Sequence, residues 1–347
     1  MKKLLYLFGT AIAIFFVATL TSAQDVHFSQ FDAAPHTVNP ANTGNYTGDW
    51  KLTNTFRSQW TTVSRPYRTI SMGFDRQFYL QNDIFSAGIL LVQDRSGTIG
   101  SSNTSVYLTE AYQKEMNKHT FHLGLQTGYV SKGFSTREMT FPNQFDMETG
   151  YFNPDMESYE TRLDVRSSYF DLNTGILWTY TGRRLQVKTG GALYHINRPK
   201  DAYMYRVNTD EKGKEIELPV RKVVHGNVRL IVSDNLLVMP GFAWMTQAGA
   251  NELLAGINAR YSFGDEYDLL RSVYTGVSFR GGNKRVTDAV IIGAGASTRK
   301  IELRLSYDIN VSPLKVASNY HGAIEISLLF KAISTRHEER TSPFLRF

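Results

Sequence analysis

The chain has 347 residues, with 38 Lys and Arg against 32 Asp and Glu and a formal net charge of +6. This mild excess is spread along the chain and does not argue for nucleic-acid binding. Cysteine is absent, which excludes disulfides and thiol nucleophiles. The 19 tyrosines and 21 phenylalanines are typical of a membrane barrel with aromatic girdles.

Residues 1–23 are predicted to form a cleaved secretory signal peptide. Lys2 and Lys3 precede a mostly apolar run at 4–20, and the small residues ending at Ala23 offer a cleavage site. A membrane-anchoring helix is the alternative, since the run is nearly long enough to cross a bilayer. Polar residues follow at once, which favours cleavage and export.

Residues 24–50 are predicted to be irregular, because Pro35, the Asn39-Pro40 pair and Gly44 break any long element. From residue 51 the chain divides into segments of about ten residues separated by turn signals. We predict strands at 51–60, 68–78, 84–94, 103–115, 119–133, 167–181, 184–197, 220–233, 236–247, 252–264, 272–281, 288–298, 301–311 and 321–332. A C-terminal tail, 333–347, is expected on the periplasmic side.

The segment 301–311 shows why these strands are amphipathic. Its odd positions are apolar or aromatic, as at Leu303 and Leu305, and its even positions are polar, as at Arg304 and Asp308. This period of two predicts a strand with one apolar and one polar face. In a soluble sandwich the charged face would meet water, whereas in an outer-membrane barrel it would face the lumen. Periodicity alone leaves both possible.

Loop lengths favour the membrane barrel. Even-numbered connections are mostly tight, as at 117–118, 234–235 and 299–300, whereas odd-numbered ones include the long excursions 135–166 and 198–219. Short turns on one rim and long loops on the other are typical of outer-membrane proteins, whose long loops face outside. We therefore predict an all-β fold: a transmembrane antiparallel β-barrel of about 14 strands over residues 51–332.

The sequence predicts no catalytic constellation, metal site or cofactor. His119 and His122 are three residues apart, which places them on opposite faces of a strand and prevents joint chelation. One set of charged residues is expected to face the lumen. We interpret it as a structural lattice of ion pairs, with a selectivity filter as the alternative: Arg229, Arg260, Arg280, Glu302, Arg304, Asp308 and Glu325.

Several motifs occur in a fixed order along the mature chain. They are Phe28-Ser29-Gln30-Phe31, Asn39-Pro40-Ala41, Arg57-x-Gln59-Trp60, a Gly-x-x-x-His-x-Asn-x-Pro run that contains His195 and ends at Pro199, and Ser306-Tyr307-Asp308 followed by Glu325-x-Ser327. In this order the chain resembles the PorP/SprF-like outer-membrane proteins of the type IX secretion system in Bacteroidota. The terminal PFLRF differs from the Cys-Pro-Arg-Phe ending of many members.

The resemblance implies a non-enzymatic barrel that works with the type IX machinery. Its expected partners are periplasmic ring, motor and peptidoglycan-linked components, outer-membrane lipid, and secreted cargo with C-terminal sorting domains, gliding adhesins included. The motifs are assigned to partner binding or to a plug. The residues so assigned are Phe28, Ser29, Gln30, Phe31, Asn39, Pro40, Arg57, Trp60, His195 and Pro199. A plug or strand cap that only stabilises the barrel is the alternative.

These expectations give a hypothesis for the mechanism. The loops at 135–166 and 198–219 would hold cargo at the cell surface, while residues 24–50 and the tail would plug the lumen or contact the machinery. A passive channel or small-molecule transporter is the competing interpretation. An outer-membrane enzyme ranks third because no catalytic constellation is present.

Overall fold

A computed structural model describes residues 25–62, 65–80, 83–96, 100–135, 141–153, 155–157, 164–200, 217–263, 270–282 and 287–332. The predicted signal peptide and C-terminal tail lie outside these residues, as do parts of the two longest loops. Within the described residues no helix is long and apolar enough to cross a membrane.

Fourteen strands of the described chain close into one antiparallel barrel. They are β1 (Trp50–Gln59), β2 (Tyr67–Leu80), β3 (Asp83–Ser96), β4 (Ser101–Met116), β5 (His119–Ser135), β8 (Asp164–Thr181), β9 (Leu185–Tyr194), β10 (Arg221–Ile231), β11 (Leu236–Gln247), β12 (Ala250–Ser262), β13 (Ser272–Gly281), β14 (Thr287–Ser297), β15 (Ile301–Asn310) and β16 (His321–Lys331). The predicted fold class is thus confirmed.

Closure of the barrel depends on two pairings between strands that are not consecutive. β5 pairs with β8, and β1 pairs with β16 in a register that sets Arg57 opposite Glu325. All fourteen strands therefore have two hydrogen-bonded neighbours, and the barrel has no free edge.

The outer surface of the barrel is apolar and its inner surface is polar. On β15, Leu303 and Leu305 are exposed, whereas Ser306 and Asp308 on the other face are buried. The same arrangement continues around the barrel, where Leu123, Ile176 and other large apolar side chains point outward. A soluble sandwich would show the reverse, so the polar face belongs to the lumen of a membrane barrel.

The two rims of the barrel differ in their connections. The short-turn rim carries residues 81–82, 117–118, 182–184, 232–235, 263–271 and 298–300, and the long-loop rim carries 60–66, 97–100, 136–163, 195–220, 248–249, 282–286 and 311–320. The predicted sorting of loop lengths is present, with 263–271 and 248–249 as exceptions. The first residue of β1, Trp50, and the last residue of β16, Lys331, both lie at the short-turn rim.

Two features of the long-loop rim differ from the predicted strands. The segment 184–197 ends as a strand at Tyr194, because His195 adopts φ +58° and turns the chain. The β5–β8 connection carries a small hairpin, β6 (Phe145–Asp146) paired with β7 (Tyr151–Phe152), which the sequence did not predict.

Residues 25–49, here called the plug, lie inside the barrel. The plug contains two 3-10 turns, Pro35–Thr37 and Pro40–Asn42. Near the long-loop rim, the backbone N–H of Asp25 donates to Gln247 Oε1 at 3.0 Å. Near the short-turn rim, Tyr46 donates from its hydroxyl to the Asp75 carbonyl at 2.8 Å. The plug therefore runs along the lumen from one rim towards the other.

Candidate functional site

Asn39 joins the middle of the plug to the barrel wall. Its Oδ1 accepts the N–H of Ala41 at 2.9 Å, which caps the Pro40–Asn42 turn. Its Nδ2 donates to the carbonyls of Ile176 at 2.9 Å and Gly191 at 3.2 Å, and lies 3.0 Å from His225 Nε2. Ile176 and Gly191 are paired in β8 and β9, so one buried amide links the plug to two strands.

Glycines in the wall make room for this turn. A Cβ at Gly124 of β5 would lie 2.2 Å from the backbone nitrogen of Ala41, and a Cβ at Gly175 of β8 would lie 2.0 Å from Asn39 Oδ1. These distances are far below a van der Waals contact. The wall can approach the plug backbone this closely only where it lacks side chains.

Glu325 holds the segment that contains the Phe-Ser-Gln-Phe motif. It accepts the backbone N–H of Ser29 at 2.6 Å with Oε1 and that of Gln30 at 2.9 Å with Oε2. Arg57 donates to the same Oε1 at 2.5 Å. The carboxylate is fully buried, and these donors compensate its loss of hydration.

A second carboxylate, that of Asp308, completes this buried network. It pairs with Arg57 at 3.1 Å and with Arg280 at 2.8 Å, and it accepts the hydroxyl of Ser29 at 2.8 Å. The Ser29 hydroxyl in turn accepts from both arginines. Two guanidinium groups thus balance two carboxylates around Ser29, and the structure brings together plug and lumen residues that the sequence had assigned separately.

The rest of the predicted lumen lattice forms a separate cluster. Glu302 pairs with Arg260 at 2.9 Å and with Arg304 at 2.5 Å, and Arg304 also pairs with Asp32 of the plug at 2.6 Å. Arg229 lines the cavity beside this cluster. The seven predicted lattice residues therefore fall into two groups, each of which holds a different part of the plug.

His195 holds the first described residue of the plug at the long-loop rim. Its Nε2 lies 2.6 Å from Asp25 Oδ2 and its Nδ1 lies 2.8 Å from Asp171 Oδ1. Burial lowers the pKa of His195, but the carboxylates of Asp25 and Asp171 outweigh that effect and raise the pKa to about 9. Burial raises the pKa of Asp25, but His195 and Arg221 reverse this and hold it below its usual range. The histidine is therefore protonated at neutral pH, with both ring nitrogens donating.

A cavity of about 290 Å³ lies between the plug and the wall, towards the short-turn rim. Seven Lys and Arg side chains and three Asp and Glu side chains line it: Lys51, Lys188, Arg229, Arg260, Lys300, Arg304 and Lys331, with Asp32, Glu115 and Glu302. Lys188 donates to Asn45 of the plug at 3.1 Å. This end of the lumen is consequently basic.

The other predicted site residues occupy different places. Phe28 is buried in the plug and, with His195, lines a smaller cavity of about 70 Å³. Phe31 packs against apolar wall residues, among them Leu254. Trp60 instead lies at the long-loop rim with its ring edge-on to Tyr67 at 5.0 Å. Pro199 accepts the N–H of Leu218 within the β9–β10 connection.

Sequence reasoning did not assign to the site four of the residues that position the plug. Asp25 and Asp171 flank His195, while Gly124 and Gly175 accommodate the Pro40–Asn42 turn. The two glycines had a usable signal, because each occupies a polar-face position in a strand where a side chain would otherwise project into the lumen.

A family model described as "Type IX secretion system membrane protein PorP/SprF" matches residues 20–330. The chain belongs to the PorP/SprF family. The family and the closed barrel together identify an outer-membrane component of the type IX secretion system. The motifs that suggested the resemblance lie within the matched residues. A search of curated proteins finds no match.

Solved barrels resemble this PorP/SprF protein in fold. The Ralstonia pickettii toluene transporter TbuX is 10% identical and aligns over 86% of this chain and 93% of its own, with a TM-score of 0.49. A Pseudomonas aeruginosa FadL homologue is 8% identical over 84% and 92%, with a TM-score of 0.47. The CymD monoaromatic hydrocarbon channel is 11% identical over 87% and 93%, with a TM-score of 0.49.

Proposed function

We propose that this PorP/SprF protein supports the export and cell-surface attachment of particular secreted proteins that carry C-terminal sorting domains, gliding adhesins among them. It acts without catalysis, as a scaffold. The observation that carries the proposal is the plug, which is bonded to the wall near both rims and midway between them. Because the plug occupies the lumen, the loops at the rims are the surfaces left for binding other proteins.

The plug also argues against the competing interpretation as a passive channel. Asn39 binds β8 and β9, while Ser29 and Gln30 bind Glu325 on β16, beside the closing seam. The Asn39 and Glu325 side chains are buried, and the contacts to Glu325 are charge-assisted. Displacing the plug would therefore leave several polar groups without partners. A channel that conducts continuously requires the opposite, a lumen kept clear by the structure.

The two rims fit different tasks. In outer-membrane barrels the short turns face the periplasm, so the short-turn rim and the C-terminal tail face the ring, motor and peptidoglycan-linked components. The long-loop rim, with the connections 136–163 and 195–220, faces outside and holds cargo. Export through a cleaved signal peptide at residues 1–23 brings the chain to this membrane.

The proposal is tested by replacing residues 136–163 with a short Gly-Ser linker in the native cells. We expect cargo in the culture medium while the barrel still inserts, as shown by its altered migration after heating. Unchanged cargo retention would argue against a role for this loop.

A second test separates the scaffold from the channel. A tag placed between β13 and β14 permits purification from native outer membranes, followed by mass spectrometry. We expect secretion-machinery components or a large sorting-domain protein in the eluate. A barrel that elutes alone and conducts ions in planar bilayers would favour the channel.

A further inference from the structure

The β5–β8 connection contains a small folded unit. Its described residues, 141–153 and 155–157, are here called the loop tip. A 3-10 turn, Pro142–Gln144, leads into the β6–β7 hairpin, where Phe145 faces Phe152. The loop tip therefore has secondary structure of its own, at the outer end of the second-longest strand of the barrel.

Gln144 is the centre of the loop tip and is only 1% exposed. Its Oε1 accepts the N–H of Phe141 at 3.1 Å, and its Nε2 donates to the carbonyl of Met156 at 2.9 Å. Its own carbonyl accepts the N–H of Asn153 at 2.9 Å. One buried amide thus ties together the two arms of the hairpin.

Asp146 fixes the turn between the two short strands. Its carboxylate accepts the N–H of Glu148 at 2.8 Å and the hydroxyl of Thr149 at 2.8 Å. Its carbonyl accepts the N–H of Gly150, which has φ +73°. A glycine satisfies this left-handed position without strain. The shape of the loop tip is thereby set by its own bonds.

This bonded frame holds apolar side chains out in solvent. Met147 is 91% exposed and Tyr151 is 77% exposed, and Phe145 and Phe152 are also exposed, with their rings edge to face at 5.3 Å. Aromatic and Met side chains on a preorganised frame are the usual anchors of protein interfaces, because little conformational entropy is lost when they dock. The loop tip has the composition of a binding surface.

The charges around these anchors have a single sign. The described residues of the loop tip include no Lys, Arg or His and four acids: Asp146, Glu148, Asp155 and Glu157. Like charges so placed repel acidic surfaces, anionic lipid headgroups included, and attract basic ones. Charge complementarity therefore favours a protein partner over the membrane surface.

We infer that the loop tip is the element that docks a secreted protein domain, one whose apolar surface is bordered by Lys and Arg. The exposed anchors, including Met147 and Tyr151, enter the apolar surface, and Glu148, Asp155 and Glu157 pair with the basic border. This inference rests on the proposed attachment function and names the chemistry of the partner's surface.

A photo-crosslinking amino acid at Tyr151, installed in the native cells, tests which molecule covers the loop tip. We expect one crosslinked secreted protein, whose yield falls about tenfold in a Glu148→Gln, Asp155→Asn, Glu157→Gln background. The same crosslinker at Ala248, in the tight turn of the same rim, is the matched control and should not capture that protein. Capture of lipid, capture of a second copy of this chain, or a yield indifferent to the three charges would each overturn the inference.

Cargo release distinguishes failure of this inference from failure of the proposed function. A Met147→Ser, Tyr151→Ser, Phe152→Ser variant should release cargo into the medium to the extent seen in a strain lacking the protein. Val316→Ser, an exposed apolar residue of the β15–β16 connection, is the control and should retain it. If the deletion strain releases cargo and the triple variant does not, the loop tip is not the docking element. If the deletion strain itself retains cargo, the proposed function is wrong.

Discussion

Arg57 and Glu325 face each other across the two strands that close the barrel, and their side chains bond at 2.5 Å. The same carboxylate accepts the backbone N–H groups of Ser29 and Gln30 from the plug. The buried carboxylate of Glu325 thus contributes both to the closure of the barrel and to the binding of the plug. The Phe-Ser-Gln-Phe motif and the Glu-x-Ser motif, almost 300 residues apart, are two sides of this contact.

Replacement of Glu325 by Gln should destabilise the barrel and loosen the plug together. The variant leaves the buried Arg57 with one carboxylate partner, Asp308, which it shares with Arg280. Removing one partner of a buried ion pair typically costs about 3–5 kcal/mol. Urea unfolding in detergent micelles, followed by tryptophan fluorescence, measures the loss. Glu115→Gln, the same change at an exposed position of the lumen, is the control and should shift the free energy by less than about 0.5 kcal/mol. Equal shifts in the two variants would contradict the shared role of Glu325.

A single methyl group at Gly124 should displace the middle of the plug. The added Cβ would overlap the backbone of Ala41, which cannot rotate away as a side chain could. We expect Gly124→Ala to insert normally and to show conductance steps in planar bilayers where the parent shows none. Gly293→Ala is the matched control, since a Cβ there meets nothing closer than 3.7 Å. Absence of conductance in the Gly124→Ala barrel would mean that the plug is held by contacts other than this turn.

The contact between His195 and Asp25 should weaken in mild alkali. Because the pKa of His195 in the folded protein, about 9, exceeds its ordinary value of 6.5, the protonated ring stabilises the fold. This contribution, on the order of 3 kcal/mol, is complete below pH 6.5 and is lost as the pH rises through about 9. The outer end of the plug is therefore expected to loosen over that interval.

Thiol labelling measures this loosening cleanly because the chain has no cysteine. Val26→Cys, next to Asp25, should react with an impermeant maleimide increasingly as the pH rises, relative to Ala248→Cys on the same rim. That reference corrects for ionisation of the thiol itself. In a His195→Asn background the relative rate should be high and independent of pH. A constant ratio in the parent barrel would show that His195 does not control this end of the plug.

The strands could be predicted from the sequence because their signal is local. Alternation and turn residues are read within ten or so positions, and the predicted bounds 236–247 and 272–281 coincide with β11 and β13. The prediction failed where tertiary contacts override that pattern. No Gly or Pro marks a turn at His195, yet its backbone enters the left-handed region, where Asp25 and Asp171 hold the side chain. The two-residue strands of the loop tip are too short to show any period.

The lumen lattice shows a different limit of prediction from sequence. Alternation assigns Arg260, Arg280, Glu302 and Asp308 to one face, but it does not say at what height each side chain lies along the barrel axis. Height depends on the register between strands, which the bulges in the β13–β14 and β15–β16 pairs shift further. The separation of the lattice into two clusters, and the residues of the plug that each one holds, therefore emerged only from the structure.

The charge of the lumen predicts what an opened barrel would conduct. The residues lining the larger cavity carry more Lys and Arg than Asp and Glu, and Lys188 and Arg229 lie there on adjacent strands. A basic lining concentrates anions and repels cations. In a Gly124→Ala barrel, the reversal potential across a salt gradient should therefore indicate anion preference. Adding Lys188→Gln and Arg229→Gln should move it towards zero, whereas Arg198→Gln, an exposed change at the opposite rim, should leave it unchanged. Cation preference in the opened barrel would show that ions pass by a route that avoids this cavity.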